Sequence, residues 1–76
     1  MITIKLKIYA DGSMYWYQNG EYHRDNDQPA IINANGEKRW CQNGKYHRNN
    51  DQPAVINANG SKYWYQNDKL IKEESK

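Results

Sequence analysis

Apolar and polar residues alternate along residues 2–9, with Ile2, Ile4, Leu6 and Ile8 set against Thr3, Lys5, Lys7 and Tyr9. A period of two describes a strand with one covered face. Asp11-Gly12 comes next, followed by an aromatic run over residues 13–18. The same order returns twice: residues 29–33, Asn35-Gly36 and residues 37–42, then residues 53–57, Asn59-Gly60 and residues 61–66. Asp-Gly and Asn-Gly tolerate the positive φ angles of a type I′ turn, so each pair is expected to join an incoming strand to an aromatic one. Pro29 and Pro53 fit the first position of a strand, where no ladder donor is needed. The connections 19–28 and 43–52 are rich in Asn, Asp and Gly and read as loops, with a short extended piece at Tyr22-His23-Arg24. Only the tail, residues 70–76, leaves room for a helix. The pattern predicts an all-β chain, a single antiparallel meander sheet of about six strands.

The alternation is carried by a duplication. Residues 10–33 and 34–57 match at 16 of 24 positions without a gap, and a third copy begins at Ala58 and fades near Lys72. A fixed period of this length marks stacked supersecondary units. One domain is expected over residues 1–76: an N-terminal strand 1–9, copies 10–33 and 34–57, a partial copy 58–72, and a tail 73–76. Superposing the copies places Leu6, Ala30 and Ala54 in one register position and Ile8, Ile32 and Ile56 in another. Trp16, Trp40 and Trp64 form a third ladder on the same side, and this side is expected to be the core. Tyr22 and Tyr46, matched by Leu70, are expected to fold back over it. The opposite side carries Tyr15, Arg39 and Tyr63, then Tyr17, Cys41 and Tyr65, with Ile31 and Val55 nearby.

Composition agrees with a thin sheet. A chain of 76 residues buries roughly 60% of its unfolded surface, and only 37% of this one is apolar, with seven Tyr, three Trp and no Phe. Such rings suit a half-wet face. The net charge of +2 is interspersed, whereas phosphate binding usually needs a clustered basic face. Cys41 is alone, so no internal disulfide forms and nothing argues for an oxidising compartment. The alternating N-terminus lacks the apolar run of a signal peptide or membrane helix. A complete, cytoplasmic gene product is the expectation.

Gln42-Asn43-Gly44-Lys45-Tyr46-His47-Arg48, followed by Asn57-Ala58-Asn59-Gly60 and a further Trp-x-Gln-Asn, resembles MORN repeats. The family pattern runs Y-x-G-x-W-x-N-G-K-x-H-G-x-G and then a D/N-G turn. Trp40, Asn43, Gly44, Lys45, His47, Asn59 and Gly60 match it, as do Trp16, Asn19, Gly20, His23, Asn35 and Gly36 in the first copy. The family's H-G-x-G is replaced by His-Arg-x-Asn-Asp-Gln-Pro-Ala, one residue longer, and the glycine of Y-x-G-x-W is missing. The chain is similar to divergent variants in small bacterial, phage and giant-virus proteins. The resemblance covers residue 10 to about residue 70. It implies β-hairpin repeats of 24 residues extending a twisted, mostly single-layer sheet that binds partners along a face, without catalysis; phospholipid binding has been proposed for some members.

His23-Arg24 and His47-Arg48, beside Asp27 and Asp51, raise a phosphodiesterase reading with imidazole as acid or base and Arg steadying a phosphorane. Two copies lie roughly 10 Å apart at two strand spacings, too far for both rings to flank one phosphate. Short polar side chains in turns ordinarily bond loop backbone. A metal set of His23, His47, Asp27, Asp51 and Cys41 lacks converging spacing, and Cys41 reads as a small member of a Tyr ladder rather than a nucleophile. No enzyme activity, cofactor or metal is expected.

Tyr15, Tyr17, Tyr63 and Tyr65 with Arg39 form an aromatic and guanidinium patch, flanked by Arg24 and Arg48 on the loops. Tyr and Arg are enriched at interface hot spots, so a protein partner is the expectation. A small phage-type inhibitor or adaptor of a larger complex, such as a defence nuclease, follows by analogy with the repeat. The alternative is stacking of single-stranded nucleic acid on the Tyr/Arg face; a membrane partner is not expected. Residues 2–9 and 61–66 are the expected sheet edges, open to a homodimer or an added strand, with Lys5 and Lys7 blunting the first.

Overall fold

The structure is a computed structural model and describes residues 2–76. Its ten strands are β1 (Ile4–Ile8), β2 (Met14–Gln18), β3 (Glu21–Tyr22), β4 (Ile31–Ile32), β5 (Lys38–Arg39), β6 (Cys41–Gln42), β7 (Lys45–Tyr46), β8 (Val55–Ile56), β9 (Lys62–Gln66) and β10 (Lys69–Glu74). Eight of them form one sheet in the order β1-β2-β4-β5-β8-β9-β10, with β3 paired to β2, while β6 and β7 form a small second sheet. Every pairing is antiparallel. The chain is all-β with no helix among the described residues, and none that is long and apolar enough to cross a membrane.

The order along the sheet follows the chain, as a meander requires, but the expected six strands and single sheet give way to ten strands in two sheets. Residues 37–42 do not form one strand. They divide around Trp40 because the two neighbours change there: Arg39 and Lys38 pair with β4 and β8, while Cys41 and Gln42 pair with β7. The tail is a strand, not a helix. β10 pairs with β9 from Lys69 to Glu74, with a bulge between Leu70 and Lys72, so β10 rather than residues 61–66 is the far edge. An unpaired ladder on β9 overrides weak local preference, as strand context commonly does.

The turns also differ from expectation. At Gly12, Gly36 and Gly60 the glycine has φ +94 but the preceding Asp or Asn is not left-handed. Tyr9 accepts from Gly12 N–H at 3.0 Å and donates to Ser13 O at 2.9 Å, the pattern of a three-residue connection ending in a left-handed residue. The Asp11 carboxylate accepts from Ser13 N–H, and Asn35 and Asn59 do the same for Glu37 and Ser61. Type I′ geometry lies elsewhere. Asn19 and Gly20 (φ 51 and 82), Asn43 and Gly44 (52 and 80), and Asn67 and Asp68 (49 and 70) are consecutive left-handed pairs. They close the hairpins β2–β3, β6–β7 and β9–β10. Asp68 takes the third copy's glycine position, and its carboxylate accepts from Tyr46 N–H at 2.8 Å. Short polar side chains bonded locally are the usual non-glycine occupants of that region.

Those hairpins decide which side is covered. Tyr17 faces Tyr22 and Cys41 faces Tyr46 across two-residue turns, so Tyr22 and Tyr46 lie on the Tyr side and do not cover the Trp side. The packed apolar cluster is Ala30, Ile31 and Cys41, with Tyr15, Tyr22 and Tyr46 against it. The Trp side is only partly buried: Ala30, Ala54 and Trp40 are buried, but Leu6 and Ile8 are 45% and 65% exposed. Both lie on β1, which is an edge strand of the sheet among the described residues.

Candidate functional site

Pairing across the large sheet sets Tyr15, Ile31, Arg39, Val55 and Tyr63 in one row. A second row holds Tyr17 with Tyr22, Cys41 with Tyr46, and Tyr65 with Leu70. Tyr15, Tyr17, Arg39, Tyr63 and Tyr65 therefore share one side, as the alternation required. Arg24 and Arg48 do not join them. Their guanidinium carbons sit 3.7 Å from the ring centroids of Trp16 and Trp40 on the opposite side. The physical cause is the loop path: Asn26-Asp27 and Asn50-Asp51 are consecutive left-handed pairs that turn each loop over the Trp side.

On the Tyr side, the rings meet laterally. Tyr17 stacks on Tyr22 at 4.9 Å, Tyr22 meets Tyr15 edge-on at 6.0 Å, Tyr15 meets Tyr9 at 5.1 Å, and Tyr46 meets Tyr65 at 5.3 Å. Offset and edge-on pairs of this kind add roughly 0.5–1.5 kcal/mol each beyond area burial. Hydrogen bonding with Tyr17 and partial burial raise the Tyr22 phenol above its ordinary value. Between the rings lies an open groove of about 380 Å³ lined by Tyr15, Tyr22, Ile31, Asn33, Arg39 and Tyr46. Tyr15 donates to Asn33 Oδ1 at 3.0 Å on one wall. Arg39 crosses the floor, bonded to Glu37 Oε1 at 3.2 Å and to the Tyr46 hydroxyl. Burial opposes its charge, yet Glu37 and Tyr46 together hold its pKa above the usual value. Tyr22 and Tyr46 thus belong to the site, and the Asn-Gly pairs that place them were visible in the sequence.

Cys41 is 2% exposed beneath this groove. Burial pushes its thiol up to about 11, with Arg39 pulling the other way and Asp68 adding to the rise. A protonated, enclosed thiol is a packing group rather than a nucleophile.

On the Trp side, the loops of one copy clasp the aromatic strand of the next. Trp40 Nε1 donates to Asp27 O at 3.0 Å, Gln42 Nε2 donates to Arg24 O at 2.9 Å, and Arg48 Nε donates to the Asp27 carboxylate at 2.9 Å. Twenty-four residues on, Trp64 Nε1 donates to Asp51 O at 2.9 Å, Gln66 Nε2 donates to Arg48 O at 2.6 Å, and Lys72 lies 4.5 Å from the Trp64 ring. Arg24 and Arg48 each also donate to the proline carbonyl five residues ahead. The Arg48 hydrogen bond is the main cause holding the Asp27 carboxyl below its ordinary value.

The histidines work in the same clasp. Asn43 N–H donates to His23 Nδ1 at 3.0 Å, and Asn67 N–H donates to His47 Nδ1 at 3.2 Å. An accepting Nδ1 puts the proton on Nε2, which reaches Asp25 at 2.8 Å in the first copy and Asn49 Oδ1 at 2.9 Å in the second. Both nitrogens of each ring are engaged. Among the described residues, no group of three His, Cys, Asp or Glu side chains converges as metal ligands would.

Protein-family profiles, curated protein sequences and solved structures give no match to this chain.

Proposed function

We propose that the chain is a non-enzymatic protein-binding module, a MORN-type stack of 24-residue hairpin copies that presents the Tyr groove to a partner. The observation that carries this reading is the groove itself: tyrosine walls around Ile31 and Arg39, open to solvent and made of the residue types that dominate interface hot spots. The engaged histidines and the enclosed Cys41 support a non-catalytic role, since neither offers a free base or thiolate. By analogy with phage-type repeat proteins, the partner is a larger protein complex that this chain inhibits or links, a defence nuclease being one such target.

Lys5, Lys7 and Tyr17 border a separate 320 Å³ cleft, and this carries the second reading, single-stranded nucleic acid stacked on Tyr17. Binding of an oligothymidine that weakens steeply with salt would favour that reading. The test of the first reading is affinity capture from a bacterial lysate with the intact chain and with Tyr17→Ala/Tyr65→Ala. Tyr17 and Tyr65 brace the groove walls Tyr22 and Tyr46. The expected result is therefore loss of the same captured protein by a double variant that still unfolds cooperatively, at a midpoint lowered by the two lost ring pairs. Capture that survives the double substitution contradicts a Tyr-side interface.

A further inference from the structure

The clasp described above has three sets of donors but only two loops to fill them. The loop carrying Asp27 serves Trp40, Gln42 and Arg48, and the loop carrying Asp51 serves Trp64 and Gln66. The first set is Trp16, Gln18 and Arg24, and among the described residues the element that precedes it, β1, brings no such loop to it. Among the described residues, Trp16 Nε1, Gln18 Nε2 and Arg24 Nε and Nη2 find no acceptor; Arg24 spends only Nη1, on Pro29 O. These donors open into a cleft of about 270 Å³ whose walls include Trp16, Gln18, His23, Arg24, Asp25 and Asn26, the Asp25 carboxylate being turned to His23 Nε2 at 2.8 Å rather than to Arg24. The second cleft is lined by Trp40, Gln42, His47, Arg48 and Asn50, the same residues 24 positions on, but Arg24, Asp25, Asn26 and Asp27 close its near side. In the first cleft only Ile4, 71% exposed, stands in that place.

We propose that the first cleft seats an aspartate-bearing loop from a partner protein, held as the Asp27 loop is held in the second. The molecule itself supplies the template for the ligand. A carboxylate meets Arg24 Nε and Nη2 as Asp27 meets Arg48, at 2.9 and 3.3 Å. One backbone carbonyl accepts from Trp16 Nε1 and a second, three residues earlier, accepts from Gln18 Nε2. Both loops of a second copy of this chain are already engaged, so another copy cannot supply the loop without opening its own clasp. The charge requirement is explicit: Arg24 is a cation stacked on Trp16 without the carboxylate that its counterpart has. This seat lies across the sheet from the Tyr groove and is tested without it.

The probe is the chain's own loop offered in trans: a cyclised peptide of residues 22–30, titrated into the 15N-labelled intact protein. The expected result is a saturable shift of the Trp16 indole N–H and the Arg24 Nε–H, with the Trp40 and Trp64 indoles unmoved. Replacing Asp27 of the peptide by Asn is expected to weaken binding about tenfold, since a charge-assisted bond is lost. Arg24→Gln in the protein abolishes binding while the Trp40 and Trp64 indole signals hold their places, which separates loss of the seat from loss of the fold. No Trp16 shift at about 1 mM peptide, equal binding of the Asn peptide, or an equal response to inorganic phosphate or an oligonucleotide would overturn the proposal.

Discussion

The two sides of the sheet use the duplication in opposite ways. On the Trp side, the positions that agree between copies make the bonds that join them: Trp16 and Trp40, Gln18 and Gln42, His23 and His47, Arg24 and Arg48, Asp27 and Asp51. On the Tyr side, the positions that differ form two rows: Tyr15, Arg39 and Tyr63, then Tyr17 and Tyr65 on either side of the buried Cys41. Identity between copies is thus a scaffold property, because each copy must fit the loop of the one before it. The variable rungs make none of the clasp bonds that join one copy to the next.

The largest effect that would break this comparison is at Trp40. It is 7% exposed, donates to Asp27 O and carries Arg48 on its ring. Trp40→Ala is expected to cost about 3–5 kcal/mol, a large share of what a domain of this size has, measured by urea unfolding. A loss below that of Tyr65→Ala would reverse the assignment of scaffold and recognition sides.

A smaller, pH-dependent effect belongs to Asp27. Its folded pKa is depressed below 3.8 by Arg48, so the stabilisation is present above that value and is lost as pH falls through the folded pKa. Asp27→Asn is therefore expected to be less stable than the parent chain at neutral pH, with the gap closing below about pH 4. The pair is half-exposed on the Asp27 side, which keeps the effect modest. A gap that persists at pH 2.5 would mean that the carboxylate's charge is not what joins the two loops.

Much of this was legible beforehand. The alternation over residues 2–9, the incoming and aromatic strands and the shared row of Tyr15, Arg39 and Tyr63 all follow from a period of two. Which side is covered did not follow, because alternation defines two faces without saying what lies over either. The deciding signal was present: Asn19-Gly20 and Asn43-Gly44 are hairpin dipeptides, and a two-residue turn returns Tyr22 beside Tyr17 and Tyr46 beside Cys41. Reading them as the start of a loop reversed the two faces. The stacking of Arg24 and Arg48 on Trp rings depends on the left-handed pairs Asn26-Asp27 and Asn50-Asp51, whose reversal of the chain is not encoded in any periodic pattern. The strand over Lys69–Glu74 was hidden for another reason: its order comes from the ladder of β9 rather than from its own residues.

The claim that each copy is clasped by the loop before it is tested most directly by solvent exchange of the three indole N–H protons, assigned by single Trp→Phe variants. Trp40 and Trp64, bonded to Asp27 O and Asp51 O, are predicted to exchange slowly, and Trp16, whose indole N–H meets no acceptor among the described residues, quickly. Equal exchange at all three, or protection at Trp16 alone, would contradict the account.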